Sequence, residues 1–240
     1  MKAKKLYTHF SRFNPTKQPD FIIAGVQKCG TSSLMRTLAT HPLLYLPDGE
    51  VHFFDRHQDE GLDWYRSHFP DDGRTVGEKT PAYFKMEKLW VTIKETLPDA
   101  KIILSLRDPV GRALSHWNMM NRKGATSYPL NGLPEDWEMS MIRQGDYYDA
   151  ITKFLKFFDR EKVLVVIAEE TWREPDRVYS EIQQFLEVPY FRLVPVPQKS
   201  NAYPKLSLEE ITFKNWLVER YKEPNMRLFE WLGREIKCWT

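Results

Sequence analysis

The chain is poor in cysteine, with two residues, Cys29 and Cys238, among 240. They sit in unlike surroundings, which excludes a disulfide framework as the basis of the fold. No spaced His/Cys ligand set is present either, so no metal is expected. Long apolar runs are also missing. Stretches such as Val163–Ala168 fall far short of the roughly 20 residues a helix needs to cross a bilayer. The start is basic, with Lys2, Lys4, Lys5, Arg12 and Lys17, but no apolar stretch follows that would make a secretory signal. Without a signal or a disulfide pattern, the expected compartment is the cytoplasm. Charge of one sign is scarce as well: 35 Lys and Arg stand against 33 Asp and Glu, a net charge of +2. That total gives no reason to expect a nucleic-acid partner, though it leaves room for a local anion site. There is no internal repeat, low-complexity segment or Gly/Ser linker. One domain over 20–240 behind a basic tail at 1–19 is therefore expected.

What is present is an alternation of short apolar runs with helix-like stretches. Phe21–Ala24, Arg74–Glu78, Lys101–Leu106 and Lys162–Ala168 read as strands. Between them, Thr31–Ala39 and Lys88–Thr96 carry apolar residues one turn apart and read as helices, each stopped by a following proline. Asp108-Pro109 reads as an N-cap and first helical residue, opening a helix to about Asn121. Further helices are expected at Ile142–Asp159, Arg177–Leu186 and Leu208–Tyr221, with Pro224 separating the last from Met226–Leu232. Gly124–Pro134 reads as a loop, and the prolines of Pro189–Pro204 exclude regular helix there. The pattern is that of an α/β fold: three layers around a central, mostly parallel sheet.

The first stretch with chemistry is Gly25-Val26-Gln27-Lys28-Cys29-Gly30-Thr31-Ser32-Ser33, which follows a buried strand and opens a helix. Backbone N–H groups at such a junction, together with the positive end of the helix, hold phosphate. Gly25 and Gly30 permit close approach, Lys28 brings a full charge, and Thr31, Ser32 and Ser33 add hydroxyls. The loop departs from a Walker A sequence, which needs Lys directly after its second Gly. Thr31 holds that place here, and no metal-binding Asp directly ends the Lys101–Leu106 strand. A second anion site is expected at Arg107, at the end of that strand, with Ser115 about two turns into the next helix. Arginine stays charged and forks onto phosphate oxygens. Alone, the first junction also reads as an ordinary strand–turn–helix corner and the second as a helix cap. Together they point to a ligand with phosphates at both ends of one nucleoside.

Six segments in order, Gly25–Leu34 (GVQKCGTSSL), Glu50–Asp55 (EVHFFD), Glu78–Phe84 (EKTPAYF), Leu106–Ser115 (LRDPVGRALS), Gly145–Tyr148 (GDYY) and Tyr221–Gly233 (YKEPNMRLFEWLG), resemble the sulfotransferases that use 3′-phosphoadenosine 5′-phosphosulfate (PAPS). The likeness is to the heparan-sulfate N- and 3-O-sulfotransferase branch, with its P-loop-like fold. The resemblance implies that Lys28, Cys29, Gly30, Thr31, Ser32 and Ser33 hold the 5′-phosphosulfate, and that Arg107 and Ser115 hold the 3′-phosphate. It implies Glu50 as the acid–base residue, Lys79 and Lys28 as charge stabilisers, and His52 and Asp55 as further active-site residues. Lys199 is the nearest match to a cofactor-binding stretch of that branch, although Ser200 and Asn201 depart from its pattern. The implied reaction is in-line transfer of a sulfonate to a hydroxyl or amine of a carbohydrate acceptor, releasing adenosine 3′,5′-bisphosphate. A P-loop kinase or NTPase, or a module that only binds nucleotides or glycans, is the alternative that the residues leave open.

Overall fold

The computed structural model describes residues 17–122, 141–196 and 208–239. Most of the basic tail, the loop read at 124–134, Lys199 and the end of the proline-rich stretch lie outside the described residues.

Five parallel-paired strands form the sheet: β1 (Phe21–Gly25), β2 (Leu44–Tyr45), β3 (Thr75–Lys79), β4 (Lys101–Leu106) and β5 (Val163–Ile167), in the order β2-β3-β1-β4-β5. The central strand β1 is buried along its whole length, so its apolar residues run continuously rather than alternate with polar ones, as a parallel strand covered on both faces requires. Its side chains still divide by face with period two. Phe21 and Ile23 join one core and Ile22 and Ala24 join another.

On the first face, Leu34, Met35 and Leu38 of α1 (Thr31–Leu38) and Val178 and Ile182 of α8 (Pro175–Phe185) pack against the sheet. On the second face lie Trp90 and Ile93 of α4 (Glu87–Thr96) and Ile151 and Phe154 of α6 (Tyr147–Phe154). This is the expected three-layer α/β arrangement. A third cluster joins α5 (Pro109–Arg122) to α9 (Leu208–Leu232) through Ala113, Leu114, Phe213 and Leu217. The chain leaves β1 toward β2 and β3 on one side, and reaches β4 and β5 on the other. The carboxyl ends beside β1 are thus a topological switch point, where open parallel sheets bind ligands.

Two expectations fail. The helix read over Ile142–Asp159 is only Tyr147–Phe154, preceded by a 3-10 turn at Arg143–Gly145. Asp146 takes a non-helical conformation, and Gly145 lies so close to Tyr221 that a methyl there would stand 2.7 Å from its ring. The break expected at Pro224 does not occur, and α9 runs through it. An interior proline costs about 3 kcal/mol. Packing offsets that cost, because Tyr221 before the proline and Leu228 after it are both buried in core clusters. Among the described residues, the short strand β2 and the short helices α2 (Phe53–Arg56), α3 (Gly61–Arg66) and α7 (Ala168–Arg173) escaped the sequence reading, as did three single 3-10 turns at Gln58–Glu60, Tyr83–Lys85 and Arg160–Lys162.

Candidate active site

The loop between β1 and α1 turns on two left-handed residues, Lys28 at φ 71° and Gly30 at φ 78°. Lysine pays a steric penalty there that glycine escapes. The loop is pinned from below by Ser105 of β4, whose hydroxyl donates to the Cys29 carbonyl at 2.6 Å and whose carbonyl accepts from the Val26 N–H at 3.0 Å. Gly25 is held against the segment after β3, since a methyl on it would lie 2.7 Å from Phe84 Cβ. The N–H groups of Thr31, Ser32 and Ser33 open α1, where a helix leaves its first donors without intrahelical acceptors.

The candidate residues of this loop divide in two. The Cys29 side chain is buried, 3.6 Å from the Tyr147 hydroxyl. Burial pushes its thiol up to about 11, against the opposing charge of Arg112 and the Tyr147 hydrogen bond. It therefore stays a thiol near neutrality and offers a ligand only its backbone. Ser33 donates its hydroxyl to the Val196 carbonyl at 2.9 Å, which ties α1 to the chain beyond α8. Ser32 instead faces the end of β3 and accepts from Lys79 Nζ at 3.3 Å.

Lys79 is the hinge of the arrangement. Its ammonium also lies 2.8 Å from Glu50 Oε1. The other Glu50 oxygen is 3.0 Å from His52 Nε2, and His52 Nδ1 is 2.9 Å from Asp55. One continuous chain of contacts thus runs Ser32–Lys79–Glu50–His52–Asp55. Both His52 nitrogens face carboxylates. His52 itself is left-handed, at φ 55°, and its N–H donates to Thr80 Oγ1 at 3.3 Å. Of the three described non-glycine residues with positive φ, Lys28 and His52 both belong to this site. Strain of that kind is held at functional sites at about 1–3 kcal/mol each.

Beneath the chain lies a carboxyl that the sequence did not single out. Glu78 is fully buried, takes the Tyr65 hydroxyl on one oxygen and the Thr80 hydroxyl on the other at 2.9 Å. Burial pushes it up to about 7, against the two hydroxyl donors, with Asp55 adding to the rise. In the unfolded chain this group ionises near 4.5. Between the two values the folded state holds the extra proton, so the stability Glu78 contributes is complete below about 4.5 and lost as pH rises through about 7. At about 1.36 kcal/mol per unit, the loss is on the order of 3 kcal/mol. Thermal denaturation is expected to show a midpoint that falls from about pH 5 to about pH 7.5, and Glu78→Gln is expected to flatten that slope. Asp108 and Glu169 are also raised by burial, so part of the slope remains. An unchanged slope in the variant would show that Glu78 ionises normally.

The second expected anion site stands across β1. Arg107 Nη1 donates to the Lys28 carbonyl at 3.4 Å, which places its guanidinium against the first loop. Its Nε lies 4.0 Å from Glu169, and its guanidinium carbon sits 5.5 Å from the Trp172 ring centre. It also lies over the first turn of α5, where a methyl on Gly111 would be 3.5 Å from it. Asp108 caps that turn, accepting from the Val110 and Gly111 N–H groups at 3.2 and 3.0 Å. Ser115 is half-buried and four residues beyond Gly111, so it shares that helix face with the guanidinium. Trp172 was missed because α7 follows β5 without a turn and its AEETWR sequence carries no apolar stripe. Half-exposed, its indole lies beside both Gly30 and Arg107.

The sulfotransferase domain family matches residues 18–223 of the chain. Heparan sulfate glucosamine 3-O-sulfotransferase 6 of Mus musculus is 35% identical over 177 residues, covering 70% of this chain and 52% of that protein. Heparan sulfate glucosamine 3-O-sulfotransferase 3B1 of Homo sapiens is 33% identical over 187 residues, covering 74% of this chain and 48% of that protein. The chain thus spans about half the length of these curated relatives. Among solved structures, a sulfotransferase from Alicyclobacillus acidocaldarius superposes with a TM-score of 0.76 at 26% identity, over 93% of this chain and 99% of that one. A strand–turn–helix loop at the end of β1, with a carboxylate–lysine–histidine chain beside it and an arginine across it, falls within the match over residues 18–223, which shows that the chain belongs to the sulfotransferase domain family.

Proposed function

We propose that the protein transfers a sulfonate group from PAPS to a hydroxyl or amine of a carbohydrate acceptor. The observation that carries this reading is the position of Lys79, whose ammonium touches both Ser32 at the start of α1 and Glu50. A sulfonate held at that helix start lies next to a carboxylate able to take a proton. The two relatives named above act on heparan sulfate glucosamine by name, which supports a glycan acceptor.

In this reading the α1 N-terminus and Lys28 hold the 5′-phosphosulfate. Arg107 and Ser115 take the 3′-phosphate, with Trp172 as a flat contact for the base. The acceptor oxygen or nitrogen attacks sulfur in line, the sulfur–oxygen bond to the bisphosphate breaks, and Glu50 receives the acceptor's proton. Lys79 and Lys28 stabilise the charge that spreads over the sulfonate oxygens and the leaving oxygen. His52 and Asp55 fix the orientation of Glu50. Little covalent chemistry falls to the protein, so positioning and charge dominate, as in phosphoryl transfer.

A thermal-shift comparison tests the donor. Adenosine 3′,5′-bisphosphate at about one hundred times its Kd is expected to stabilise by about 2.7 kcal/mol, a rise in Tm of about 5–10 °C for a chain of this size. Mg-ATP is expected to give no comparable rise. The opposite ranking would replace this reading with that of a P-loop kinase or NTPase.

A further inference from the structure

The segment that follows α9 turns back across the molecule. Gly233, left-handed at φ 67°, ends the helix in a turn closed by two bonds. The Gly233 N–H donates to the Glu230 carbonyl at 3.1 Å, and the Arg234 N–H to the Phe229 carbonyl at 3.1 Å. A glycine in this conformation closes a helix and reverses the chain. Ile236 and Trp239 then return to the core, both buried. On the way the segment meets α7 at two consecutive carboxylates. Arg234 Nη2 donates to Glu170 at 2.9 Å, and Trp239 Nε1 donates to Glu169 Oε2 at 3.1 Å.

The second of these contacts leads to the arginine assigned to the 3′-phosphate. The Arg107–Asp108 peptide group is held on both sides. Its carbonyl accepts from the Tyr147 hydroxyl at 2.8 Å, and its N–H donates to Glu169 Oε1 at 3.0 Å. A peptide unit is planar, so two such bonds restrict how it turns, and with it the direction in which the Arg107 side chain leaves β4. Trp239 touches both holders. Its indole N–H binds the other oxygen of Glu169, and its ring centre lies 5.8 Å from that of Tyr147, within the range of favourable aromatic pairs. Phe229 of α9 supports the indole from a further side, at 5.9 Å.

Glu169 is also a charge that competes for Arg107. Its Oε1 stands 4.0 Å from Arg107 Nε, beyond hydrogen-bond reach. The Asp108 N–H on one oxygen and the indole N–H on the other hold the carboxylate in that place. Released from the indole, a partly buried carboxylate beside a guanidinium closes onto it, because charge-assisted bonds are the strong ones. The guanidinium donors then face Glu169 rather than a phosphate.

We propose that Tyr147 and Trp239 are positioning residues for Arg107. Tyr147 fixes the backbone from which the guanidinium extends, and Trp239 holds Glu169 at a distance at which it does not compete with the donor's 3′-phosphate. This rests on the PAPS reading above. It adds that the segment beyond α9, which carries none of the assigned phosphate contacts, sets the affinity for the 3′-phosphate.

Calorimetric titration of the full chain compares adenosine 3′,5′-bisphosphate with adenosine 5′-phosphosulfate, which lacks the 3′-phosphate. Trp239→Phe keeps a ring against Tyr147 and removes the N–H from Glu169. It is expected to weaken the bisphosphate about tenfold and to leave the phosphosulfate within about twofold. Adding Glu169→Gln to that variant takes away the competing charge while an oxygen stays for the Asp108 N–H. Bisphosphate affinity should then return to within about threefold of the unmodified protein, a non-additivity that marks a direct coupling. Tyr147→Phe removes the hydroxyl from the Arg107 carbonyl and should show the same selective loss, without rescue by Glu169→Gln. Melting curves establish that each variant folds; where Trp239→Phe does not, the double variant and Tyr147→Phe decide by the same criteria. Unchanged bisphosphate affinity in the single variants would overturn the proposal. So would equal losses for the two ligands, or a double variant no better than Trp239→Phe. An unmodified protein that binds the phosphosulfate as well as the bisphosphate would sink this inference and leave the 5′ end of the donor site intact. One that binds neither ligand would sink the PAPS reading itself.

Discussion

Replacing Glu50 by glutamine is expected to lower kcat by about 10²- to 10⁴-fold, the usual contribution of a positioned acid–base group. The bisphosphate affinity should stay within about twofold, because every group assigned to the phosphates in this reading remains. The substitution keeps the size of the side chain and an oxygen for Lys79 at 2.8 Å, but removes the acceptor for the substrate's proton. It also removes the negative charge that faces His52 Nε2 at 3.0 Å, so a modest change in Tm is expected. Calorimetric titration with adenosine 3′,5′-bisphosphate separates binding from chemistry, and single-turnover kinetics with PAPS reads the chemical step. Turnover within tenfold of the unmodified protein would remove Glu50 from the proton-transfer role. Equal loss of binding and turnover would assign it to holding Lys79 in place.

The second large effect is expected at Arg107. Arg107→Ala removes a guanidinium and its charge-assisted bonds, each worth about 1.5–3 kcal/mol, so bisphosphate affinity should fall about 10- to 100-fold. Arg107→Lys should recover only part of this, because lysine lacks the fork that matches phosphate. The decisive control is adenosine 5′-phosphosulfate, which has no 3′-phosphate. Its affinity should be the same for Arg107→Ala and the unmodified protein. A parallel loss for both ligands would show that Arg107 acts by holding the Lys28 carbonyl, 3.4 Å away, and not by meeting the 3′-phosphate.

Much of the scaffold was legible because the physics behind it is local. FIIAG and KIILSL are dominated by apolar residues, and each leads into a junction rich in Gly or marked by Asp-Pro. Such runs suit strands buried on both faces, and β1 and β4 lie within a residue of where the sequence puts them. The three candidate charges Lys28, Glu50 and Lys79 come from separate segments, and folding brings Lys79 against Glu50. No spacing rule foretells that pairing. The likeness of the six segments to a known family implied that both belong to one site, but not that they touch. The missed features are tertiary. Glu78 reads as an ordinary polar residue until β3 is placed beside β1, which buries it. EVHFFD shows neither helical nor strand period, because Phe53 and Phe54 are both buried by packing around Tyr65 and Tyr83. Pro224 lies inside α9 because tertiary contacts on both sides outweigh a local preference.

The order of the strands has a metric consequence. β3 and β4 flank β1 on opposite sides, and neighbouring strands lie about 4.8 Å apart, so the ends carrying Lys79 and Arg107 stand about 10 Å from each other. The sheet is therefore a ruler whose two marks are cations. In the proposed reading, a molecule with one anionic end meets one mark alone, whereas one with anionic groups at both ends of a nucleoside reaches both.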